Sequence, residues 1–542
     1  MARMRLRSRP QRPPGDDWVQ PSRAGRWTTV GNLDSPARAA VDPAGLVAIA
    51  GRAWSLDWWI GAEDRWHVPA REVAVRQALV GNSPVVETRV RVPSGDAVQR
   101  VYAACGLDGE EALVVEVHND TKVPFAVALA VRPYDLRGIG AVERIALDGT
   151  LVCIDGAPAI RLPRSPGRLA LSDASGDAAA IVFAGGAEPV RGADVRCADG
   201  LANGALLFPL AHTATLRVAL PLADARAIDP SSLPSADQVA SGWAALARGG
   251  ARVEVPNRLV RDAVAASTRF LLLGDAHPAV ATALDLLGFA DEATARLAVG
   301  LDLHAAAPGG LLAAIGQHWS LTRDLDAARA AVPVVAALVA RLARPADADD
   351  AAVGRTALPA VAALLEAAGE PRAAADARAV ATQIPAATPV VRDLEGLLAT
   401  ASPTWTWPSA GGGHDIGANA ALVGAVRRVL VAEREGELAL APGVPEAWLG
   451  HGWEVHDLPT AEGRLSYAIR WHGERPALLW EREPLAGAAP ARLTVPSLDP
   501  AWSSFEPRGE ALLAPVEVPD RPAVRRGLTI PVTIEPGRRG LS

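Results

Sequence analysis

The chain has 542 residues, 49% of them hydrophobic and 21% charged, the balance of a globular protein with several cores, which excludes a disordered chain. A net charge of −7 excludes the overall positive field that draws in nucleic acid or an anionic membrane. Lys122 is the single lysine among 54 basic residues, which we read as coding bias rather than chemistry.

Residues 1–26 read as a flexible N-terminus. Its basic start runs into Pro13, Pro14, Gly15, Asp16 and Asp17 instead of an apolar stretch, so it is not a secretory signal. Residues 27–222 alternate, as in Val85-Val86-Glu87-Thr88-Arg89-Val90-Arg91-Val92, between Gly, Pro, Asn and Asp turns, which predicts an antiparallel β-sandwich. A connector over 223–256 carries a helix near Trp243. From Asn257 the period changes to that of amphipathic helices, at about 290–303, 311–321, 325–343, 354–369, 371–384, 391–401 and 416–435. Asp415 is placed as the N-cap of the last. Residues 257–435 have room for about nine helices at roughly 11 to 12 residues each plus loops, and packed helical hairpins bury such faces. Alternation returns over 436–542, which predicts a C-terminal β-rich region. No uninterrupted apolar run is long enough to span a bilayer. Cys105, Cys153 and Cys197 form no CxxC or CxxH pair, which fits a reduced, cytoplasmic compartment.

The stretch Thr404-Trp405-Thr406-Trp407-Pro408 with Gly411-Gly412-Gly413, a helix, and then Leu440-Ala441-Pro442-Gly443-Val444-Pro445 resembles the end of the toroid in bacterial six-hairpin glycosidases, relatives of glucoamylases and glycogen-debranching enzymes. Leu465 to Trp480 resembles the β-segment that follows. The resemblance covers roughly residues 404–482, and domain order extends it to the rest. It implies an N-terminal β-sandwich, an α/α-toroid shortened from twelve helices, and a glycan as the partner. It also implies where residues have been lost. Gly274, before Asp275, stands where an arginine would hold the terminal sugar. The polar loop represented by Ala305-Ala306-Ala307-Pro308-Gly309-Gly310 carries no acid. Ser409 follows Trp407-Pro408 where the family has Trp-Pro-Glu, and a serine does not replace a carboxylate as general base.

Inverting glycoside hydrolysis needs an acid and a carboxylate facing each other across a cleft. The candidates for residual catalysis are Asp275 and Asp415, with Glu395 as a further acid. Trp405, Trp407 and His414 are candidates for substrate binding, as are Trp58 and Trp59 within the cluster Trp54 to Trp66. That cluster reads more simply as packing between the sandwich and the toroid. Asp302, His304 and His318 lack metal-ligand spacing, so no metal is implied. Asp347-Ala348-Asp349-Asp350 matches the DxDD acid motif of terpene cyclases, yet reads as a solvated turn. No phosphate-binding loop is present and no cofactor is implied. The expectation is a glycosidase-like protein that binds or senses a glycan with weak or lost catalysis. The alternatives are an active hydrolase with non-standard acids and a structural or interaction protein.

Overall fold

The computed structural model describes residues 26–518 except 34, 137, 191, 223–227, 304–306, 345–346, 387–390, 410–412 and 435; at 300–303 it describes the backbone alone. His304, Ala305, Ala306, Gly411 and Gly412 lie outside the described residues, as does the side chain of Asp302.

The alternating strands form two nine-stranded antiparallel sheets. The first runs through Arg38–Val41, Ser55–Gly61, Phe125–Arg132 and Asn203–Leu210; the second runs through Val86–Val92, Gly95–Cys105, Glu111–Thr121 and Thr215–Pro221. Because successive side chains in a strand point to opposite faces, Leu56, Trp58 and Ile60 meet Val90, Val115 and Val117 between the sheets. Trp59 points the other way. It packs with Ala128, Ala130 and Leu207 beneath a short helix, α1 (Ala178–Phe183), with Phe183 edge-on at 5.5 Å. The outer face of the second sheet, including Tyr102 and Val114, is covered around α2 (Ala236–Ala247). The central strands of both sheets are therefore buried on two sides, which is why Phe125–Arg132 is apolar at nearly every position. This corrects one expectation. The tryptophans from Trp54 to Trp66 pack inside the sandwich and under α1, and join no core shared with the helical region.

Nine helices follow among the described residues: α3 (Arg258–Leu273), α4 (Pro278–Leu286), α5 (Ala290–Leu303), α6 (Pro308–Thr322), α7 (Leu325–Leu342), α8 (Ala348–Ala367), α9 (Pro371–Gln383), α10 (Leu394–Thr400) and α11 (Ile416–Leu430). Side-chain caps from Asn257, His277, Asp324, Asp347, Asp393 and Asp415 satisfy orphan N–H groups at six of their starts. The last helix stops at Leu430, short of the expected 435, because Val431–Arg434 joins the C-terminal sheets as a strand. Packing runs along a row α8–α6–α4–α11–α3, with α5 against α4 and with α7 and α9 against α8. The two ends of the row have no comparable packing against each other, so the shortened toroid is an arc.

One half of the arc is closely packed at the contact between α6 and α8, and keeps a cavity of about 130 Å³ beside Leu297, Ile315, Trp319 and Ala331. Between α6 and α8 the backbones approach closely at glycines: a Cβ on Gly354 would lie 2.6 Å from the Leu342 side chain and 2.9 Å from the Gly309 backbone. Leu312, Leu358, Val361 and Leu365 fill that contact and are fully buried. Asp347 caps α8, while the Asp350 carboxylate accepts the N–H groups of Gly309 and Gly310, both at 2.9 Å. The acidic run thus ties α8 to the start of α6.

The C-terminal strands form a five-stranded antiparallel sheet and a four-stranded mixed sheet, which share a core with Val260 of α3 and Val426 of α11. Arg252–Glu254, between α2 and α3, pairs with Trp453–Thr460 of the larger sheet. Among the described residues no helix is long and apolar enough to cross a membrane.

Candidate functional site

Three elements surround a cavity of about 230 Å³: the strands Thr28–Gly31 and Arg38–Val41 of the sandwich, the turn between α3 and α4, and the start of α11. Its lining includes Thr29, Arg38, Phe270, Asp275, His277 and His414.

His414 is fixed from both sides. Its Nε2 lies 2.7 Å from the Asn419 side-chain oxygen, so Nε2 carries the proton; Nδ1 then accepts from the Thr29 hydroxyl at 3.2 Å. Phe270 meets the ring edge-on at 4.8 Å. Asn419 also donates to Ser267 Oγ at 2.9 Å and to the Trp405 carbonyl at 3.1 Å. Burial pushes the imidazole down to about 4, which keeps it neutral at physiological pH. The Thr404 hydroxyl meets that of Thr28 at 2.7 Å, a second polar seam between sandwich and helices.

The carbonyl groups that end α3 are held by two arginines from elsewhere. Arg38 donates Nε and Nη2 to Leu273 O, at 3.2 and 2.7 Å, and Nη1 to the carbonyls of Asn32, Ser35 and Ala37. Arg296 donates to Gly274 O at 2.8 Å and to Leu272 O at 3.0 Å. Cations at a helix C-terminus are favoured by its dipole. Two guanidinium groups are therefore present beside Gly274: Arg296 of α5 bonds its carbonyl, and Arg38, from a strand 236 positions earlier, bonds the carbonyl before it. Sequence reading missed Arg38 because a lone arginine in an ordinary strand gives no local signal. Of its five N–H groups, four are committed to these carbonyls, so Arg38 has no two-pronged grip left for a sugar. Burial lowers its pKa, and the nearby Asp275 carboxylate opposes that shift.

The other sequence-derived candidates fall as follows. Asp275 is exposed and lines the cavity. Asp415 lies outside the lining: its carboxylate accepts from Ala418 N at 3.3 Å as the cap of α11 and sits 3.6 Å from Arg392. Glu395 is exposed in the first turn of α10. Ser409 Oγ accepts the Gly413 N–H at 2.8 Å and shapes the turn before His414. Trp407 is buried among α3, α10 and α11 and donates to Leu397 O at 3.1 Å, and Trp405 is half-buried in the same cluster. As candidates for sugar contact, Trp58 and Trp59 are corrected outright. Both are fully buried, with Trp58 donating to Ala44 O at 2.9 Å and Trp59 to the Asp57 carboxylate at 2.9 Å, so neither offers a ring face. His318 is buried against Asp285 at 2.8 Å, with Thr294 Oγ1 at 3.1 Å from its other nitrogen. Among the described residues no group of three His, Cys, Asp or Glu side chains is placed to hold a metal.

Compared with solved structures, the chain is similar to a bacterial glucoamylase complexed with acarbose, with 9% identity and a TM-score of 0.49 over 68% of each chain. It is also similar to a human-microbiome protein described as a kojibiose phosphorylase, with 7% identity and a TM-score of 0.42 over 90% of this chain and 92% of that one. No family model matches the chain, and no curated protein matches it. The likeness is one of layout, and the chemistry has to be read from the cavity itself.

Proposed function

We propose that the chain is a glycosidase-like, carbohydrate-related protein that holds one terminal sugar ring in the cavity between the sandwich and the turn after α3, with hydrolytic chemistry weak or lost. The observation that carries this reading is the carboxylate inventory of the lining: among the described residues it contains Asp275 and no second acid. Hydrolysis by the inverting or retaining route takes two opposed carboxyl groups, and each acid or base contributes about 10² to 10⁴ in rate. What remains suits recognition. Thr29 and His277 offer polar groups, Asp275 accepts from hydroxyls, and Phe270, Ala39 and Leu136 supply apolar surface. The volume is below the roughly 300 Å³ at which drug-sized pockets begin, which limits the occupant to a single ring.

Calorimetric titration with glucosides, maltooligosaccharides and mannosides, alongside hydrolysis of chromogenic α-glucosides, tests the reading. Weak binding that disappears in Asp275→Asn, without turnover, is the expected result. Robust turnover abolished by Asp275→Asn or Asp415→Asn would overturn it in favour of an active hydrolase with non-standard acids.

A further inference from the structure

A second and larger cleft, of about 540 Å³, opens where the C-terminal ends of α2, α4 and α6 face the five-stranded C-terminal sheet. The cavity at the sandwich lies by the N-terminal ends of α4 and α11, so α4 has a hollow at each end. Six polar residues line the larger cleft: Arg248 after α2, Asp285 in the last turn of α4, Thr322 at the end of α6, and Asp457, Arg464 and Glu483 from the sheet.

The sheet is distorted at the cleft. The pairing of Trp453–Thr460 with Gly463–His472 slips between Val455 and Leu458, and Asp457 in that bulge has φ 56°, the left-handed region that a non-glycine residue rarely adopts. Bulges re-aim side chains and concentrate beside functional sites. Arg248 and Arg464 are exposed, and neither guanidinium group has an ion-pair or hydrogen-bond partner among the described residues. Asp285 is 2% exposed; one carboxylate oxygen takes His318 at 2.8 Å, and the other has no hydrogen-bond partner among the described residues. A buried unpaired carboxylate oxygen costs free energy unless something else satisfies it.

The lining also discriminates between ligand classes. Three carboxylates repel a polyanion, and two guanidinium groups repel an organic cation. Among the described residues of the lining no aromatic side chain is present to stack on a heterocycle. A neutral molecule dense in hydroxyl groups meets both halves, because each hydroxyl donates to a carboxylate and accepts from a guanidinium. The volume lies within the roughly 300 to 1,000 Å³ of small-molecule sites. From this we propose that the cleft between α4 and the C-terminal sheet is a separate binding site for a neutral polyhydroxylated molecule of mono- to disaccharide size.

Hydrogen exchange of the full chain read by mass spectrometry, with glucose and with maltose at about 10 mM, tests the proposal. Inorganic phosphate and spermidine serve as the charged comparisons. The expected result is protection of peptides covering 457–464 and 283–290 by sugar, weakened about tenfold or more in the combined Arg248→Ala, Arg464→Ala variant and unchanged in Asp275→Asn. Because both arginines are exposed and unpaired, that variant folds as the parent does. Absence of sugar protection of those peptides in the parent chain, protection unaltered by the two arginine changes, or protection by phosphate or spermidine in place of sugar would each overturn the proposal. Protection confined to the sandwich cavity and lost in Asp275→Asn would overturn it too, while leaving the function proposed above intact.

Discussion

The two halves of the helical arc are built from the same Ala, Leu and Val vocabulary and end up physically different. Between α6 and α8, Gly309, Gly316 and Gly354 let the backbones close until Leu312, Leu358 and Leu365 fill the space between the helices. Around α3, α4 and α11 the chain is held apart. His414, Asn419, Ser267 and Thr29 form a polar seam, and two arginines grip the end of α3, so a cavity survives. Small residues close the contact between α6 and α8, while hydrogen bonds that fix direction keep the other half open. An arc of nine helices can therefore keep a pocket on one side while it packs closely on the other.

That contrast breaks most visibly if the contact between α6 and α8 is hollowed. Leu358→Ala removes a fully buried side chain from a site where glycine-mediated contacts leave little room to collapse, and about 3 to 4 kcal/mol of stability is expected to go. Urea denaturation measures the loss, and glucoside binding to the folded variant stays unchanged. A loss under about 1 kcal/mol would mean that this half is not the packed one.

The open half responds to acid instead. The His414 imidazole is held near 4 in the folded chain by burial, against about 6.5 when unfolded, and the adjacent Asp415 works against that shift. The folded state thus prefers the neutral ring. Its contribution, about 3 kcal/mol, is complete above pH 6.5 and is lost as the pH falls toward 4. Thermal melts from pH 7.5 to 4 follow this loss, and His414→Gln, which keeps a donor toward Asn419, flattens the profile. An unchanged slope in that variant assigns the acid sensitivity elsewhere.

Asp350→Ala probes the joint between α8 and α6. Two N–H groups at the start of α6 lose their acceptor, and a cost of about 1 to 2 kcal/mol is expected from chemical denaturation. The smallest effect on stability belongs to Asp275→Asn, within about 0.5 kcal/mol because the side chain is exposed, although this is the change that should remove glycan binding. A destabilisation comparable to that of Leu358→Ala would turn Asp275 from a binding residue into a structural one.

Much of the layout was legible because it is local. Alternation over 27–222 marked the strands, and the change of period at Asn257 marked the helices, with α5 at its expected limits and α7 and α9 within one residue of theirs. Short α1 escaped, since six residues inside a run of strands carry too little periodicity. Asp415 as a helix cap was legible for the same reason as the strands: a cap acts on residues two or three positions away.

The candidate site was only half legible. The sequence by itself placed Asp275 and His414 as polar residues at helix ends and showed that Ser409 brings no carboxylate. It did not show that Asp275 and His414 line one cavity, that Arg38 bonds the carbonyl at the end of α3, or that the opposite faces to which Trp58 and Trp59 point are both buried in cores. Those outcomes depend on contacts between positions more than a hundred residues apart, as with Thr29 and His414, Arg38 and Leu273, or Asn419 and Ser267. Periodicity and capping are set by neighbours along the chain and so are written in it. Which side chains share a pocket is set by how the sandwich docks on the arc, and only the folded chain fixes that.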